Sequence, residues 1–233
     1  MKTLTDILKS SVTPLYESLL DDFDDLSTAL SPKVIKDEIK QFLKANYKTP
    51  SKFHISHKPN NDGYYEVSCS DRIIFNGQSE SLTNGKFIFV NCLSFSIQSS
   101  HKLKNLIGSP EEVKYGYYIF NCMYIGSLEG ITEKIGFGYG IHITECHNLK
   151  TLKGLPKKVN SLHIAYCSDL TDLTGAPEEV EMDFKIWGCR NLDSLKGAPK
   201  KIGGAFECSG CKGGFTIADM KAVTKASEYS TVA

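Results

Sequence analysis

The chain has 233 residues and carries 27 basic side chains against 27 acidic ones, so its formal net charge at neutral pH is zero. This balance argues against a protein built mainly to bind nucleic acid, because such proteins carry an excess of positive charge. The composition, 41% hydrophobic and 23% charged, is globular, and no apolar run is long enough to suggest a membrane span or a signal peptide.

Residues 1–50 are predicted to form a helical N-terminal arm. Ser31 and Pro32 form a helix start, because serine caps the first turn and proline suits its first position. The apolar residues that follow recur at helical spacing, and Asn46 is a suitable end. Shorter apolar stretches lie in the first 20 residues. The acidic run 21–25 lacks the alternating ligands and central glycine of a calcium loop, so it is interpreted as a solvated linker or helix end.

Residues 51–100 are predicted to form a β-type N-terminal cap. Apolar and polar residues alternate at 53–55 and again at 65–67, on either side of a turn-forming segment at 59–63. This arrangement is typical of a β-hairpin. A further apolar segment at 73–75 leads towards the first repeat-like strand.

A repeated motif occupies residues 101–215, and its most visible feature is a regular spacing of cysteines. From Cys122 to Cys211 the successive intervals are 24, 21, 22 and 22 residues. A disulfide framework has no reason to be periodic, whereas a stack of repeats does. We therefore predict free thiols. The clearest copy is Leu162-x-Ile164-x-x-Cys167-x-x-Leu170-x-x-Leu173-x-Gly175-x-Pro177, and similar copies begin at Ile141 and Phe184, with looser ones at Tyr117, Phe206 and Phe87-x-Phe89-x-x-Cys92.

Each part of the motif has a physical reason. Two apolar residues separated by one position form a short strand with one buried face. The cysteine is a small buried side chain at the turn, the two leucines return to the same core, and Gly-x-Pro sets the bend. Charged pairs follow each proline, and the pairs at 157–158, 178–179 and 200–201 alternate in sign. Stacked repeats would bring these charges together as neighbours, so the alternation indicates register control.

The C-terminal segment 216–233 is predicted to form a capping helix and a tail. Thr216 is a suitable N-cap, and Asp219 follows it three residues later, at the position where an acidic side chain completes the cap. A stack of repeats exposes its core at both ends and therefore needs such caps.

The repeated motif resembles the leucine-rich repeat in its cysteine-bearing form, with the period of short bacterial repeats. The stretch 195–209, and more weakly the segment 16–22, resemble repeat proteins of tailed bacteriophages. The resemblance implies a mixed, β-rich fold: a leucine-rich-repeat solenoid with short parallel strands, a helical N-terminal arm and a C-terminal capping helix. The copy near Gly130 lacks the proline, and the segment 92–110 departs from the regular spacing.

Two constellations invite a chemical interpretation, and each has a structural alternative that we favour. Cys208-x-x-Cys211 lacks the further ligands of a zinc site, and the repeat register accounts for both cysteines. Cys167 with His163, or Cys146 with His142 and His147, would suit a thiol enzyme. The cysteines belong to the core positions, however, and His142 and His163 fall on the opposite strand face. We therefore expect no catalytic residues, no metal and no cofactor.

The outward strand positions are where binding is expected, because a solenoid presents its stacked strands as a concave face. The first outward position reads Ile88, Tyr118, His142, His163, Lys185 and Glu207, and the second reads Val90, Phe120, Thr144, Ala165, Trp187 and Ser209. The predicted partner-binding residues are Tyr118, Phe120, His142, His163, Lys185 and Trp187. The alternative is that flanking segments cover the N-terminal aromatic residues.

The sequence thus predicts a non-enzymatic protein-binding module, phage-encoded, that recognises a host or virion protein on its concave strand face. The alternative is a virion structural component whose N-terminal arm docks onto other particle subunits. The expected location is the cytoplasm of a host cell or the virion, and the protein is not expected to be secreted. Nucleic acid, membrane and small-molecule substrates are not expected partners.

Overall fold

The structure, a computed structural model, describes residues 31–48, 53–77, 79–136 and 138–231. The chain divides into two compact units, Met1–Gln41 and Phe42–Ala233. The apolar stretches predicted in the first 20 residues, the acidic run 21–25 and the segment 16–22 lie outside the described residues.

Two helices and fourteen strands occur in the described part of the chain. The helices are α1 (Pro32–Asn46) and α2 (Ile217–Val223). The strands are β1 (His54–Ile55), β2 (Tyr65–Ser68), β3 (Arg72–Phe75), β4 (Phe87–Gln98), β5 (Glu112–Phe120), β6 (Lys134–Ile135), β7 (Gly140–Thr144), β8 (Lys158–Val159), β9 (Leu162–Ala165), β10 (Glu179–Val180), β11 (Phe184–Trp187), β12 (Lys201–Ile202), β13 (Ala205–Ser209) and β14 (Glu228–Ser230).

The helix predicted after Ser31 is confirmed. The Ser31 side-chain oxygen accepts a hydrogen bond from the N–H of Val34 at 3.3 Å, which is the expected N-cap contact. The helix ends at Asn46, as its sequence predicts. Within the second unit, the last turn of α1 places Phe42 edge-to-face against Phe87, with 5.9 Å between ring centroids.

The second unit is a β-rich, parallel β-solenoid of about seven turns, which confirms the predicted fold class. Among the described residues, eleven strands form one sheet along the path β1-β2-β4-β5-β7-β9-β11-β13-β14, with β3 beside β4 and β6 beside β5. The strands β8, β10 and β12 form a second sheet. Within the described residues, the neighbouring strands of these sheets pair in parallel except β1 and β2, which form the predicted antiparallel hairpin.

The core is a set of side-chain ladders that run between the two sheets. Neighbouring strands place Ile143, Ile164, Ile186 and Cys208 at one register position, and all four are buried. Cys208 therefore replaces an isoleucine, as predicted from the repeat. The thiol at the following turn position lies near the carbonyl oxygen two residues before it, as in Cys167 to Ala165 at 3.5 Å. A small side chain that can donate weakly to this carbonyl suits the position, because the turn leaves little space.

The first repeat begins later than predicted. The structure pairs the second half of β4, not its first half, with the strand of the next turn: Phe95 stands beside Tyr117 and Ile97 beside Ile119. The repeat is thus Phe95-x-Ile97-x-x-Ser100, followed by the regular leucines, glycine and proline. Ser100 occupies the cysteine position, and its side-chain oxygen accepts from the N–H of Leu103 at 3.3 Å. The motif Phe87-x-Phe89-x-x-Cys92 matches the repeat spacing but lies on the preceding half of the same long strand.

The alternation of charges after the prolines is confirmed as a contact between turns. Lys201 of β12 bonds to Glu179 of β10 at 2.6 Å, and Lys200 bonds to Glu178 at 3.1 Å. Lys158 of β8 lies 3.8 Å from Glu179 on the other side. These pairs are exposed, so they contribute little to stability but disfavour a register that would bring like charges together.

The C-terminal helix is confirmed together with its cap. The Thr216 side chain accepts from the N–H of Asp219, whose carboxylate accepts from the N–H of Thr216 in return. Met220 is the buried residue of this helix. After α2 the chain adds β14 to the sheet beside β13, with Tyr229 at the register position of Phe206. The sequence did not predict this strand.

Candidate binding surface

Two rows of side chains point outward from the large sheet, and together they form what we call the strand face. The first row contains Ser96, Tyr118, His142, His163, Lys185 and Glu207. The second row contains Gln98, Phe120, Thr144, Ala165, Trp187 and Ser209. All six predicted partner-binding residues lie on this face. Ser96 and Gln98, and not the predicted Ile88 and Val90, stand beside Tyr118 and Phe120, because the first repeat begins later than expected.

Four rings of the strand face form a continuous row across β5, β7, β9 and β11. Tyr118 stacks on His142 with 5.1 Å between centroids and 26° between planes. His142 meets His163 at 4.5 Å in an edge-to-face arrangement, and the indole of Trp187 follows at 6.4 Å. The sheet imposes the order of the first three rings, since adjacent strands place side chains of the same register about 4.8 Å apart. Trp187 stands beside Ala165 in the second row, and its indole approaches His163 diagonally.

The histidines of the row are held in their neutral forms. Burial, together with the neighbouring His142 and Lys185, lowers the pKa of His163 to about 4, while Asp183 acts in the opposite direction. Burial also lowers the pKa of His142, whose Nε2 lies 2.8 Å from the carbonyl oxygen of Tyr139. Because a carbonyl oxygen can only accept, this nitrogen carries the proton in the neutral ring. The row is therefore uncharged at neutral pH.

Trp187 and Lys185 are tied to acidic neighbours rather than free. The indole N–H of Trp187 donates to Glu207 at 2.8 Å, and the Lys185 ammonium lies 5.9 Å from the centre of the indole ring. Lys185 is also within 3.6 Å of Asp183 and 3.8 Å of Glu207. This end of the strand face thus contains one cation between two carboxylates. Trp187 still leaves 36% of its surface exposed, and its ring is fixed in one orientation.

The other end of the strand face contains a cation that the sequence reasoning missed. Arg72 lines an open concavity of about 370 Å³ together with Ser96, Gln98, Tyr118, Phe120, His142 and Thr144. Within the described residues, the Arg72 guanidinium forms no ion pair. Its charge partly offsets the effect of burial, which raises the pKa of Tyr118. The repeat length could have identified Arg72. It lies 22 residues before Ser94 of β4, which is one repeat, and the two residues are neighbours in the sheet.

The cysteines and the strand-face histidines lie on opposite sides of the sheet. Cys146 and Cys167 are fully buried in the core, whereas His142 and His163 point outward and are half-buried. In the part of the chain that the structure describes, no group of three or more His, Cys, Asp or Glu side chains is placed to hold a metal ion. Neither α1 nor α2, the helices of the described ranges, is long and apolar enough to cross a membrane.

Comparison of the chain with protein-family models, with curated proteins and with solved structures found no match.

Proposed function

We propose that this chain is a non-enzymatic leucine-rich-repeat protein that binds a protein partner on its strand face. The observation that carries the proposal is the row of rings from Tyr118 to Trp187, which follow one another across four neighbouring strands. Aromatic residues are enriched in protein interfaces because they bury a large area with few rotatable bonds. Trp187, the last of these four rings, leaves 36% of its surface exposed, and the nearby Phe120 leaves 45% exposed.

Assignment to the leucine-rich-repeat class is supported by the two leucines that follow each cysteine. They are buried in three successive turns, as Leu149, Leu152, Leu170, Leu173, Leu192 and Leu195. The first leucine of each pair closes a turn onto the cysteine carbonyl, for example Leu192 to Cys189 at 2.9 Å. A stack of this kind holds its outward side chains at fixed spacing, which suits recognition of a folded or extended protein surface.

The charge on the strand face favours a partner with an acidic group at one end of the contact. Lys185 is already paired with Asp183 and Glu207, so it is a poor anchor for an acidic partner. Arg72 is the better one, because it has no ion pair among the described residues and guanidinium binds carboxylates through two parallel hydrogen bonds. We expect the partner to place an acidic side chain near Arg72 and apolar surface against Trp187.

We further propose that the protein is phage-encoded and acts in the cytoplasm of an infected cell or in the virion. The support is the resemblance of the stretch 195–209 to repeats of tailed-bacteriophage proteins. The partner is then a host protein or a virion protein. A structural role in the virion, with the N-terminal arm as the docking element, is the alternative that the experiment has to separate.

Site-specific photo-crosslinking can test the proposed surface. Benzoylphenylalanine would replace Phe120, and a control protein would carry it at Ile107, which is 55% exposed but lies in a turn away from the strand face. We expect the Phe120 position, and not Ile107, to capture one protein from phage-infected cells. If a crosslinker placed in residues 1–50 captures a subunit of purified particles, and the Phe120 position captures nothing, the structural role in the virion is supported instead.

The affinity of the captured protein then tests the role of the rings. We expect Phe120→Ala combined with Trp187→Ala to weaken binding at least about tenfold, because central aromatic anchors contribute most of the binding energy. The control is Lys153→Ala combined with Lys157→Ala, two exposed changes on the return path of the repeat. If the control variant loses the partner and the strand-face variant keeps it, the strand face is not the binding surface.

A further inference from the structure

The chain contains only two arginines, Arg72 and Arg190, against 25 lysines. Each lines an open concavity next to a tyrosine and a histidine, and neither guanidinium forms an ion pair with a residue that the structure describes. The Arg72 concavity belongs to the strand face. The Arg190 concavity lies outside it, so it calls for an interpretation of its own that does not depend on the proposed function.

The second concavity lies where the strands end and the chain turns towards the core. It has a volume of about 350 Å³ and is lined by His147, Tyr166, Ser168, Gly188 and Arg190. Three of these follow the ladder cysteines directly, so three successive turns contribute His147, Ser168 and Arg190 to one short row. The Ser168 hydroxyl lies 3.4 Å from Nδ1 of His147. We call this group the edge site.

Tyr166 occupies a backbone position that suits glycine better than an aromatic residue. The same position in each turn has positive φ, and the later turns fill it with Gly188 at φ 61° and Gly210 at φ 62°. Tyr166 adopts φ 55°, which is an uncommon and unfavourable conformation for a bulky side chain. Its ring lies across Gly188, where a Cβ atom would come within 2.6 Å of it. The ring is nevertheless 54% exposed, so it is poorly placed to stabilise the core.

An exposed ring at an unfavourable backbone position, next to a guanidinium that has no ion pair among the described residues, indicates recognition rather than stability. We propose that the edge site binds a planar organic phosphate. The Arg190 guanidinium can donate two parallel hydrogen bonds to two oxygens of the phosphate. The Ser168 hydroxyl and the His147 imidazole can donate hydrogen bonds to its third terminal oxygen. The Tyr166 ring offers a face on which a planar group can stack.

The donor set favours phosphate over carboxylate. A carboxylate has two oxygens, and a guanidinium alone satisfies both, whereas a phosphate ester presents three terminal oxygens to the three donor groups. None of the five lining residues is acidic, so nothing in the lining repels a dianion. The volume is at the lower end of the range for small-molecule sites, which suits a ligand of one or two rings.

Phenyl phosphate is the probe that tests the edge site, by titration calorimetry with the full chain. We expect saturable one-site binding, with inorganic phosphate and benzoate each bound at least about tenfold more weakly, since the first lacks the ring and the second lacks the third oxygen. Arg190→Lys should weaken phenyl phosphate by at least about tenfold, because lysine cannot form the bidentate contact. Lys153→Ala, an exposed change on the return path of the repeat, is the control and should leave this binding unchanged.

Tyr166→Asn separates a binding role from a structural one. Asparagine tolerates this backbone conformation and already occupies it at Asn121. We expect the variant to lose phenyl phosphate binding while its melting temperature does not fall. Glu145→Asn, a change at the same position one turn earlier, should leave binding intact. The proposal is overturned if phenyl phosphate does not bind, if benzoate binds equally well, or if Tyr166→Asn binds normally or melts at a lower temperature.

Discussion

His163 lies in the middle of the strand face, with His142 on one side and Lys185 on the other. Its pKa in the folded chain is about 4, against an ordinary value of 6.5, mainly because burial disfavours the charged ring. Between pH 6.5 and 4 the unfolded chain therefore binds a proton that the folded chain does not. By linkage, the free energy of unfolding is unaffected by this group above pH 6.5 and decreases as the pH falls through that window.

We predict that His163→Gln reduces this loss of stability on acidification, because glutamine cannot take up the proton in either state. The measurement is the free energy of unfolding in urea at several values between pH 7 and pH 4. His57→Gln, a change at an exposed position in the β1–β2 loop, is the control and should follow the wild-type curve. Parallel curves for the wild type and His163→Gln would show that the histidine titrates alike in both states.

Single core residues test the register of the repeat. Ile164 and Leu170 are buried in the ladder of the central turns, so Ile164→Ala and Leu170→Ala should each lower the free energy of unfolding by about 2–5 kcal/mol. Lys153→Ala, on the exposed return path, should stay within about 0.5 kcal/mol. The stability of each variant is measured by urea unfolding, and equal values for the core and surface changes would contradict the register.

Asp172 shows why a turn residue is a poor choice for that surface control. Its carboxylate accepts a hydrogen bond from the N–H of Thr174 at 2.8 Å, which lowers the pKa of Asp172. Asp172→Ala would leave the N–H of Thr174 without this acceptor in the bend, so it should lower the free energy of unfolding more than Lys153→Ala does.

At the scale of the repeat element, the bend is fixed by close approach of one turn to the previous one. Gly175 has φ 91°, and a Cβ atom there would clash with the backbone nitrogen of Lys153 in the preceding turn. Gly63, in the loop between β1 and β2, has a similar φ of 85° but open space around it. The two glycines therefore share the same backbone requirement and differ only in their surroundings.

We predict that Gly175→Ala destabilises the protein more than Gly63→Ala does. Both changes force a non-glycine residue to positive φ, at about 1–3 kcal/mol, but only Gly175→Ala also pushes two turns apart, at about 1–3 kcal/mol more. Equilibrium unfolding of the two variants measures the difference. Equal losses would mean that the spacing between turns can relax at no cost.

Much of this element can be predicted from the sequence, and the misses have identifiable causes. The cysteine spacing fixes the strand, the turn and the bend of each central repeat, because every turn repeats the same packing problem. The sequence does not locate the first repeat, because Ser100 fills the cysteine position and Phe87-x-Phe89-x-x-Cys92 has the same spacing nearby. It does not predict strand β14, because this strand joins the stack after α2, where the motif has ended.

The strand face was predicted in part for the same reason. The periodic register places Tyr118, His142 and His163 in one outward row and Trp187 in the neighbouring row, since one spacing governs all of the central strands. It does not reveal that Glu207, from the next turn, pairs with both Lys185 and Trp187. The sequence does not place Arg72 on this face, because β3 lacks the complete motif. Strand β3 nevertheless pairs with β4 in the regular register.

At the scale of the whole molecule, the solenoid resembles a one-dimensional stack in which each turn contacts mainly its neighbours. Long-range contacts accordingly join successive strands, such as β5 with β7 and β11 with β13. Such a stack can open from its ends while the central turns stay closed. The ladder of cysteines offers one reporter in almost every turn, because each buried thiol reacts only when its own turn opens.

We predict that thiol reactivity decreases from the end of the stack towards its centre. No disulfide joins any of the eight cysteines, all of which lie in the described ranges; seven are buried, and Cys211 in the last cysteine-bearing turn is partly exposed. Hydrogen bonds with Cys146 and Cys189, together with burial, raise the pKa of Cys167 well above its ordinary value, so this inner thiol is a poor nucleophile. With iodoacetamide in rising urea, followed by mass spectrometry, we expect Cys211 to be labelled first and Cys146 and Cys167 last. Labelling of all thiols at a single urea concentration would instead indicate that the stack unfolds as one cooperative unit. A mass deficit in the unreduced protein that marks a bond between Cys146 and Cys189 would contradict the free-thiol ladder itself.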